Sequence, residues 1–113
     1  MDRGLTAVRY TCCSKINLAN DLAVAGEYEE ALRYTREALA GLTAIFGEEH
    51  PQVVVCRNNL SLDLENTGAP AEAHGLRQEL EQQYRTVFRP NHPETQLMQR
   101  RLRGSIEIEP PNW

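Results

Sequence analysis

The hydrophobic positions along this chain follow the period of an α-helix. In the clearest segment, Ala31, Thr35, Ala38, Leu42 and Ile45 recur at alternating spacings of four and three residues, which places them on one helical face. The neighbouring segments show similar periodicity, and glycine or proline separates them. The pattern therefore predicts an all-α fold with helices over residues 5–25, 28–46, 51–67, 70–88 and 93–104.

The predicted helix ends coincide with residues that suit them. Gly26, Gly47 and Gly68 each follow a hydrophobic stripe, and glycine commonly ends a helix because it accepts positive φ. Pro51 and Pro70 begin the next helices, because the first helical turn does not need the amide hydrogen that proline lacks. Consecutive helices are therefore joined by short turns.

One short seam occurs twice, as Phe46-Gly47-Glu48-Glu49-His50-Pro51 and as Phe88-Arg89-Pro90-Asn91-His92-Pro93, offset by 42 residues (88 minus 46). Overlaying residues 9–50 on 51–92 without a gap gives ten identical pairs. They are Asn17/Asn59, Leu18/Leu60, Asp21/Asp63, Leu22/Leu64, Gly26/Gly68, Glu30/Glu72, Ala31/Ala73, Glu37/Glu79, Phe46/Phe88 and His50/His92. A period in this range with two helices per unit indicates a helical solenoid.

These repeated residues resemble the motif of a known protein family. The run Asn17-Leu18-Ala19, followed by Gly26-Glu27-Tyr28-Glu29-Glu30-Ala31-Leu32, resembles the core of a tetratricopeptide repeat, and residues 58–73 resemble it again. The 42-residue period (93 minus 51), with Gly-Glu-Glu-His-Pro between units, is similar to the longer kinesin-light-chain type of that repeat. The resemblance covers about residues 8–104 and implies a right-handed α-solenoid.

The resemblance also divides the sequence. It implies one helical-repeat domain over residues 1–104, followed by a proline-containing tail. Its parts are repeats at about 8–50 and 51–92, a capping helix at about 93–104 and the tail at 105–113. His74 and Arg77 depart from the family pattern, because they stand where the family carries apolar or small residues.

The number of repeats bears on how the protein exists. Two repeats plus a cap are at or below the number that usually stands alone, so we expect the C-terminal part of a longer protein or a protein that self-associates. The ending Ile108-Glu109-Pro110-Pro111 resembles the tails of actinobacterial tetratricopeptide proteins, including multidomain signalling NTPases. Trp113 would either pack on the last helix or insert into a neighbouring molecule.

Composition excludes several classes of function. A net charge of −4 and a pI of about 5.4 argue against a generic nucleic-acid binder. No apolar run approaches the roughly 20 residues that span a bilayer. The N-terminus lacks a signal-peptide pattern, so we predict a cytoplasmic protein. Lys15 is the only lysine among 12 basic residues, which we interpret as G+C-rich coding and hence as an actinobacterial, that is bacterial, origin. The three cysteines form no disulfide framework, and we expect them to be buried.

No motif supports catalysis or metal binding. The sequence has no Gly-x-Ser-x-Gly, no phosphate-binding loop and no His-Glu-x-x-His. His50, His74 and His92 have no Cys or His neighbour at chelating spacing, and we interpret His50 and His92 as turn residues. We therefore predict a protein that is not an enzyme and that has no cofactor and no metal.

The candidate binding residues follow from the solenoid. The first helix of each hairpin lines the concave surface, where a peptide would bind. The predicted contacts are Asn17, Asn20, Asn58, Asn59, Leu62, Asn66, Arg100 and Arg101. A carboxamide both donates and accepts, so it can pair with the backbone of an extended peptide, and the resemblance implies this role for Asn17 and Asn59. The alternative is that these amides bond to neighbouring helices.

Arg100 and Arg101 also admit two interpretations. Guanidinium groups could bind an acidic residue or the C-terminal carboxylate of a peptide. They could equally be solvated cations at a helix end, where the dipole favours them. The predicted function is a protein–protein interaction module for a peptide or partner domain. The alternative is a structural or self-assembling end of a larger regulatory protein, which would include homo-oligomers.

Overall fold

The structure is a computed structural model that describes residues 3–88 and 92–100, without the side chains of residues 3–6, 8, 94 and 97. Within these ranges the protein forms five helices, which confirms the all-α class. They are α1 (Arg3–Val24), α2 (Tyr28–Phe46), α3 (Pro51–Asn66), α4 (Pro70–Val87) and α5 (Pro93–Gln99). The first four begin and end within two residues of the predicted bounds. The predicted end of the fifth helix, the tail and Trp113 lie outside the described residues.

The second helix lies between two others, because it packs against both α1 and α3. It buries Ala31, Thr35, Ala38 and Leu42, four of the five residues in the predicted stripe, while Ile45 is half-buried. Ala31 and Ala38 are small, so they permit close approach of a neighbouring helix. α1 and α2 are close at Gly41 as well, since a Cβ there would collide with the Sγ atom of Cys12.

The third helix is the centre of the fold. Residues 53–56 and 61–64 are all buried, so apolar and polar side chains face neighbours in every direction. A helix that is buried all round needs packing partners on all sides. α2 and α4 provide two of these partners. Val54 and Leu64 are buried and Leu60 is half-buried, and the burial of the polar residues between them is a product of tertiary packing.

Both hairpins turn by the same mechanism. Gly26 and Gly68 have φ angles of 85° and 86°, a region that is open to glycine and strained for other residues. The next amide in each copy then reaches back to the helix that is ending. Glu27 N donates to the Leu22 carbonyl at 2.8 Å, and Ala69 N donates to the Leu64 carbonyl at 2.9 Å. The predicted glycine stops are confirmed.

The cysteines lie inside the fold as expected. Cys12, Cys13 and Cys56 are buried free thiols. Burial raises the pKa of the Cys12 thiol, although Lys15 opposes this, and it raises the pKa of the Cys13 thiol against the influence of Arg9. Both thiols therefore remain protonated near neutral pH and act as small apolar side chains.

Candidate functional site

The two seams have related geometry. The Phe46 ring stacks on the imidazole of His50, with ring centroids 4.2 Å apart and an interplanar angle of 18°. Phe88 and His92 form the corresponding pair at 4.6 Å with a tilt of 43°. His50 also caps α3, because its Nδ1 atom accepts a hydrogen bond from Gln52 N at 3.2 Å. His50 is thus a turn residue and a helix cap.

The cap of α3 gives a pH-dependent prediction. Burial, with a further contribution from Arg9, lowers the pKa of His50 from its ordinary value of 6.5. A group whose pKa is lowered by folding contributes its full stability above 6.5, and this contribution is lost as the pH falls through the lowered value. His50→Ala should cost about 1 kcal/mol at pH 8, the usual effect of losing an N-cap. The difference from wild type should shrink in urea denaturation at pH 5, and a difference that grows on acidification would contradict this account.

A buried polar pair joins the two hairpins. Thr35 Oγ1 on α2 donates a hydrogen bond of 2.6 Å to Asp63 Oδ2 on α3, and neither residue has appreciable exposed surface. Cys56 Sγ donates to the Thr35 carbonyl at 3.7 Å. A hydrogen bond to a charged acceptor is stronger than a neutral one and has a narrow geometry. The pair therefore fixes how α3 lies against α2.

The structure does not bring the predicted peptide contacts together on one open surface. Asn58 and Asn59 have 0% exposed surface, and Leu62 has 8%. Asn58 and Asn59 both have interaction partners within the fold. Side chains without exposed surface do not touch a partner in this conformation. The exposed members of the predicted set are Asn17, Asn66 and Arg100, Asn20 is half-buried, and Arg101 lies outside the described residues.

Comparison of the two repeats shows which surface remains open. Four exposed residues of α1 correspond to four buried residues of α3 at the 42-residue offset (59 minus 17). The pairs are Thr11/Val53, Ser14/Cys56, Asn17/Asn59 and Asp21/Asp63. On α3 this face is covered by α2, as the two contacts of Thr35 with Cys56 and Asp63 show. We call Thr11, Ser14, Asn17, Leu18 and Asp21 the α1 face; among the described residues, no helix covers it.

The α1 face also carries apolar surface. Leu18 is 42% exposed, and Tyr10, two helical turns before it, is 50% exposed. Leu18 and Leu22 are apolar residues four positions apart on α1. The structure places Leu18 at the surface and leaves Leu22 half-buried, because within residues 3–88 and 92–100 no helix packs on this side of α1 as α2 packs on α3. The sequence carries no signal for this surface, because Asn17, Leu18 and Asp21 are identical to their counterparts in α3.

Asn66 lies apart from the α1 face. It lines an open cavity of about 490 Å³ with the exposed residues Tyr28, Glu27, Glu29 and Glu30. Glu29 and Glu30 are exposed at the start of α2. The cavity is therefore a solvated, negatively charged concavity at the turn between α1 and α2.

The contact between α4 and α5, which we call the last joint, corresponds to the contact between α2 and α3 but uses different side chains. Arg77 stands at the position of Thr35, and Met98 at the position of Cys56, at the same offset. The Arg77 Nη2 atom donates to the Met98 carbonyl at 3.3 Å, so the two counterparts again meet. The joint thus keeps the register of the repeat although both side chains differ.

Within the two described ranges, no three His, Cys, Asp or Glu side chains cluster in a way that could hold a metal ion. In that same part of the protein, no helix is both long and apolar enough to cross a membrane.

Comparison with known proteins identifies a family. A family model described as tetratricopeptide repeat matches residues 10–86, which extend from α1 into α4 and make up more than half of the sequence. No curated protein matches this sequence.

Proposed function

The chain belongs to the tetratricopeptide-repeat family, whose repeats generally mediate protein–protein interaction, and from this we propose that it docks a helix of a partner protein on the α1 face. One observation carries the proposal. The α1 face is exposed, whereas the corresponding face of α3 is buried beneath α2. The molecule therefore displays, at one end, a surface that it covers with a helix elsewhere.

The inner contact indicates the chemistry of the partner. Asn17, Leu18 and Asp21 are identical to Asn59, Leu60 and Asp63, and Asp63 accepts a hydrogen bond from Thr35 of α2. α2 meets this face with the hydroxyl of Thr35 opposite the carboxylate, flanked by alanines. A helix that presents a threonine or serine opposite Asp21, with small residues one turn to either side, matches the surface. Such helix-on-face recognition relies on anchors at i, i+3, i+4 and i+7.

Of the predicted peptide-contact residues, this proposal keeps only ones that are exposed or half-buried. Asn17 belongs to the α1 face and Asn20 lies on the next turn of the same helix. Asn66 and Arg100 are exposed but lie away from the α1 face along the sequence of helices. We assign partner contact to Asn17 and Asn20, and we assign Asn58, Asn59 and Leu62 to the packing of α3.

Self-association through the same face is a second candidate. Tyr10 and Leu18 expose apolar surface two turns apart on α1, and paired apolar side chains of this kind suit a second copy of the protein. This corresponds to the structural or self-assembling role. Sedimentation across a concentration series separates the two candidates. A dimer that the substitution Leu18→Arg dissociates would favour self-association over docking of a foreign partner.

A peptide titration tests the docking proposal on the full-length protein. The probe is a synthetic peptide of residues 27–47, the sequence of α2, added to ¹⁵N-labelled protein. We expect amide shifts at residues 11–21, and Leu18→Arg should abolish them, whereas Ala40→Arg on the exposed side of α2 should not. A peptide with Thr35→Val should bind about tenfold more weakly, because the hydroxyl no longer reaches the carboxylate of Asp21.

Two outcomes would contradict the docking proposal. One is a peptide that shifts no amide of the α1 face. The other is equal affinity for the wild-type protein and Leu18→Arg, since a contact that buries Leu18 cannot accept a charged side chain there without loss.

We also propose that the repeats are of the longer, kinesin-light-chain type. The 42-residue offset (92 minus 50) and the aromatic–histidine contact at both seams support this assignment. A bacterial, actinobacterial origin and a cytoplasmic location stay predictions from the sequence.

A further inference from the structure

A short motif occurs in both helices of the first hairpin. Residues 7–11 are Ala-Val-Arg-Tyr-Thr and residues 31–35 are Ala-Leu-Arg-Tyr-Thr, at an offset of 24 residues (31 minus 7). The match continues along one face of each helix, at four positions with the helical spacing 4, 3, 4. The pairs are Ala7/Ala31, Thr11/Thr35, Ser14/Ala38 and Leu18/Leu42. α1 therefore carries nearly the same stripe of side chains as α2.

The two copies of this stripe differ in burial. In α2 all four side chains are buried, and Thr35 contacts both Cys56 and Asp63 of α3. In α1 the four counterparts are all exposed. The stripe that covers α3 inside the molecule is thus present a second time at the surface, where no helix of the described ranges lies against it.

The α1 face also resembles the surface that the stripe covers. At the 42-residue offset (63 minus 21), Asp21 corresponds to Asp63 and Ser14 corresponds to Cys56. α1 therefore combines, on one exposed face, both halves of the contact that α2 and α3 form inside the molecule. A surface that carries both halves of a contact is self-complementary, which is what a dimer with two-fold symmetry requires.

We propose that two copies of the protein dimerise by antiparallel packing of α1 against α1, with Thr11 of each copy donating a hydrogen bond to Asp21 of the other. The inference rests on the proposed function, since it uses the same face, and it names the partner as a second copy. The antiparallel direction follows the inner contact, because α2 and α3 pack together and are joined by the short turn at residues 47–50. In this arrangement the Ser14 hydroxyl takes the place of the Cys56 thiol and donates to the Thr11 carbonyl of the other copy.

The exposed side chains of α1 suit such a contact. Ala7 and Ser14 are small, so two helices can approach closely, and Tyr10 and Leu18 bring apolar surface that dimerisation would bury. In the monomer the Thr11 hydroxyl donates to the Ala7 carbonyl at 3.0 Å. The dimer exchanges this neutral bond for one to a carboxylate, which is the stronger acceptor. The contact involves one helix of each copy, and interfaces below about 1,200 Å² generally form weak complexes, so we expect dimers only at high protein concentration.

Complementary charges test the pairing of positions 11 and 21 directly. Sedimentation is measured on the full-length protein, on Thr11→Asp, on Asp21→Arg and on an equimolar mixture of the two variants. Thr11→Asp should weaken dimerisation about tenfold or more, because two carboxylates then face each other in each contact. Asp21→Arg should also weaken it, because the acceptor is lost. The mixture should form a heterodimer, because the new carboxylate at position 11 faces the new guanidinium at position 21, while the other contact is that of the wild type.

Thr86→Asp is the matched control for Thr11→Asp. Thr86 is an exposed threonine of α4 whose hydroxyl donates to the Gln82 carbonyl at 3.1 Å, as the hydroxyl of Thr11 donates to the Ala7 carbonyl. It does not belong to the α1 face, so its replacement should leave the equilibrium between monomer and dimer unchanged. All of the replaced side chains are exposed, and circular dichroism of each variant should show the helical content of the wild type.

Three results would overturn the proposal. One is a protein that stays monomeric up to about 1 mM. Another is a dimer that Thr11→Asp and Asp21→Arg leave intact. The third is a mixture that associates no more strongly than either variant alone, since this would place the contact in another register.

The peptide of residues 27–47 separates these failures from a failure of the proposed function. A monomeric protein that binds the peptide on the α1 face overturns the dimer alone. A dimer with the expected response to charge that the peptide neither binds nor dissociates overturns only the docking of a foreign helix.

Discussion

Replacing Thr35 with valine should lower the free energy of unfolding by about 2–3 kcal/mol, although the two side chains have nearly the same shape. The reason is the carboxylate of Asp63. Thr35 Oγ1 donates to it at 2.6 Å, and both residues are buried, so valine leaves one carboxylate oxygen without this donor and without access to water. The loss of a buried hydrogen bond to a carboxylate costs more than the small gain from burying another methyl group.

The repeat supplies a matched control for this prediction. Asp21 is the counterpart of Asp63 but is exposed, so Asp21→Asn should change stability by less than about 0.5 kcal/mol. Urea denaturation with an unchanged m-value would measure both effects. A Thr35→Val protein as stable as wild type would show that the buried bond contributes nothing. A double-mutant cycle with Asp63→Asn would isolate the coupling between the two side chains.

Truncating Leu42 to alanine should cost about 2–5 kcal/mol, the usual range for a fully buried leucine. Leu42 has no exposed surface and belongs to the same buried cluster as Cys12 of α1 and Val54 of α3. The surrounding helices cannot close the cavity easily, because α2 is packed on both sides. The loss should therefore reach both hairpins and reduce the stability of the whole described fold.

A surface truncation provides the comparison for Leu42. Val24 is 88% exposed, so Val24→Ala should change the free energy of unfolding by less than about 0.5 kcal/mol. Thermal and urea denaturation followed by circular dichroism would measure both variants. A cost below about 1 kcal/mol for Leu42→Ala would mean that the cluster is loosely packed and can collapse around the missing atoms.

Much of the fold could be predicted from particular residues. The stripe from Ala31 to Leu42 identified the buried face of α2, because the helical period leaves only one face free of charge. Gly26 and Gly68 identified helix ends, because few residues other than glycine adopt their φ angles. Pro51 identified the start of α3, and the recurrence of the seam identified the repeat. Each of these signals is local in the sequence.

The candidate site was less predictable, because it depends on neighbours that are distant in sequence. The periodicity of α3 did not reveal that Asn58, Asn59 and Asp63 are buried, since polar residues at those positions normally indicate solvent. Their burial requires partners from surrounding helices. Arg77 appeared in the sequence as a departure from the family, but its contact with the Met98 carbonyl exists only in three dimensions.

The identical pairs separate the properties that the sequence determines from those that only the tertiary structure decides. The sequence by itself determined five helices, a 42-residue period and the seam that joins the repeats, because helix periodicity and turn chemistry are local properties. It could not distinguish Asn17 from Asn59 or Asp21 from Asp63, which are the same residues in the same motif. Only the tertiary structure decided that one of each pair is exposed and the other buried, because α2 covers α3 and no described helix covers the α1 face.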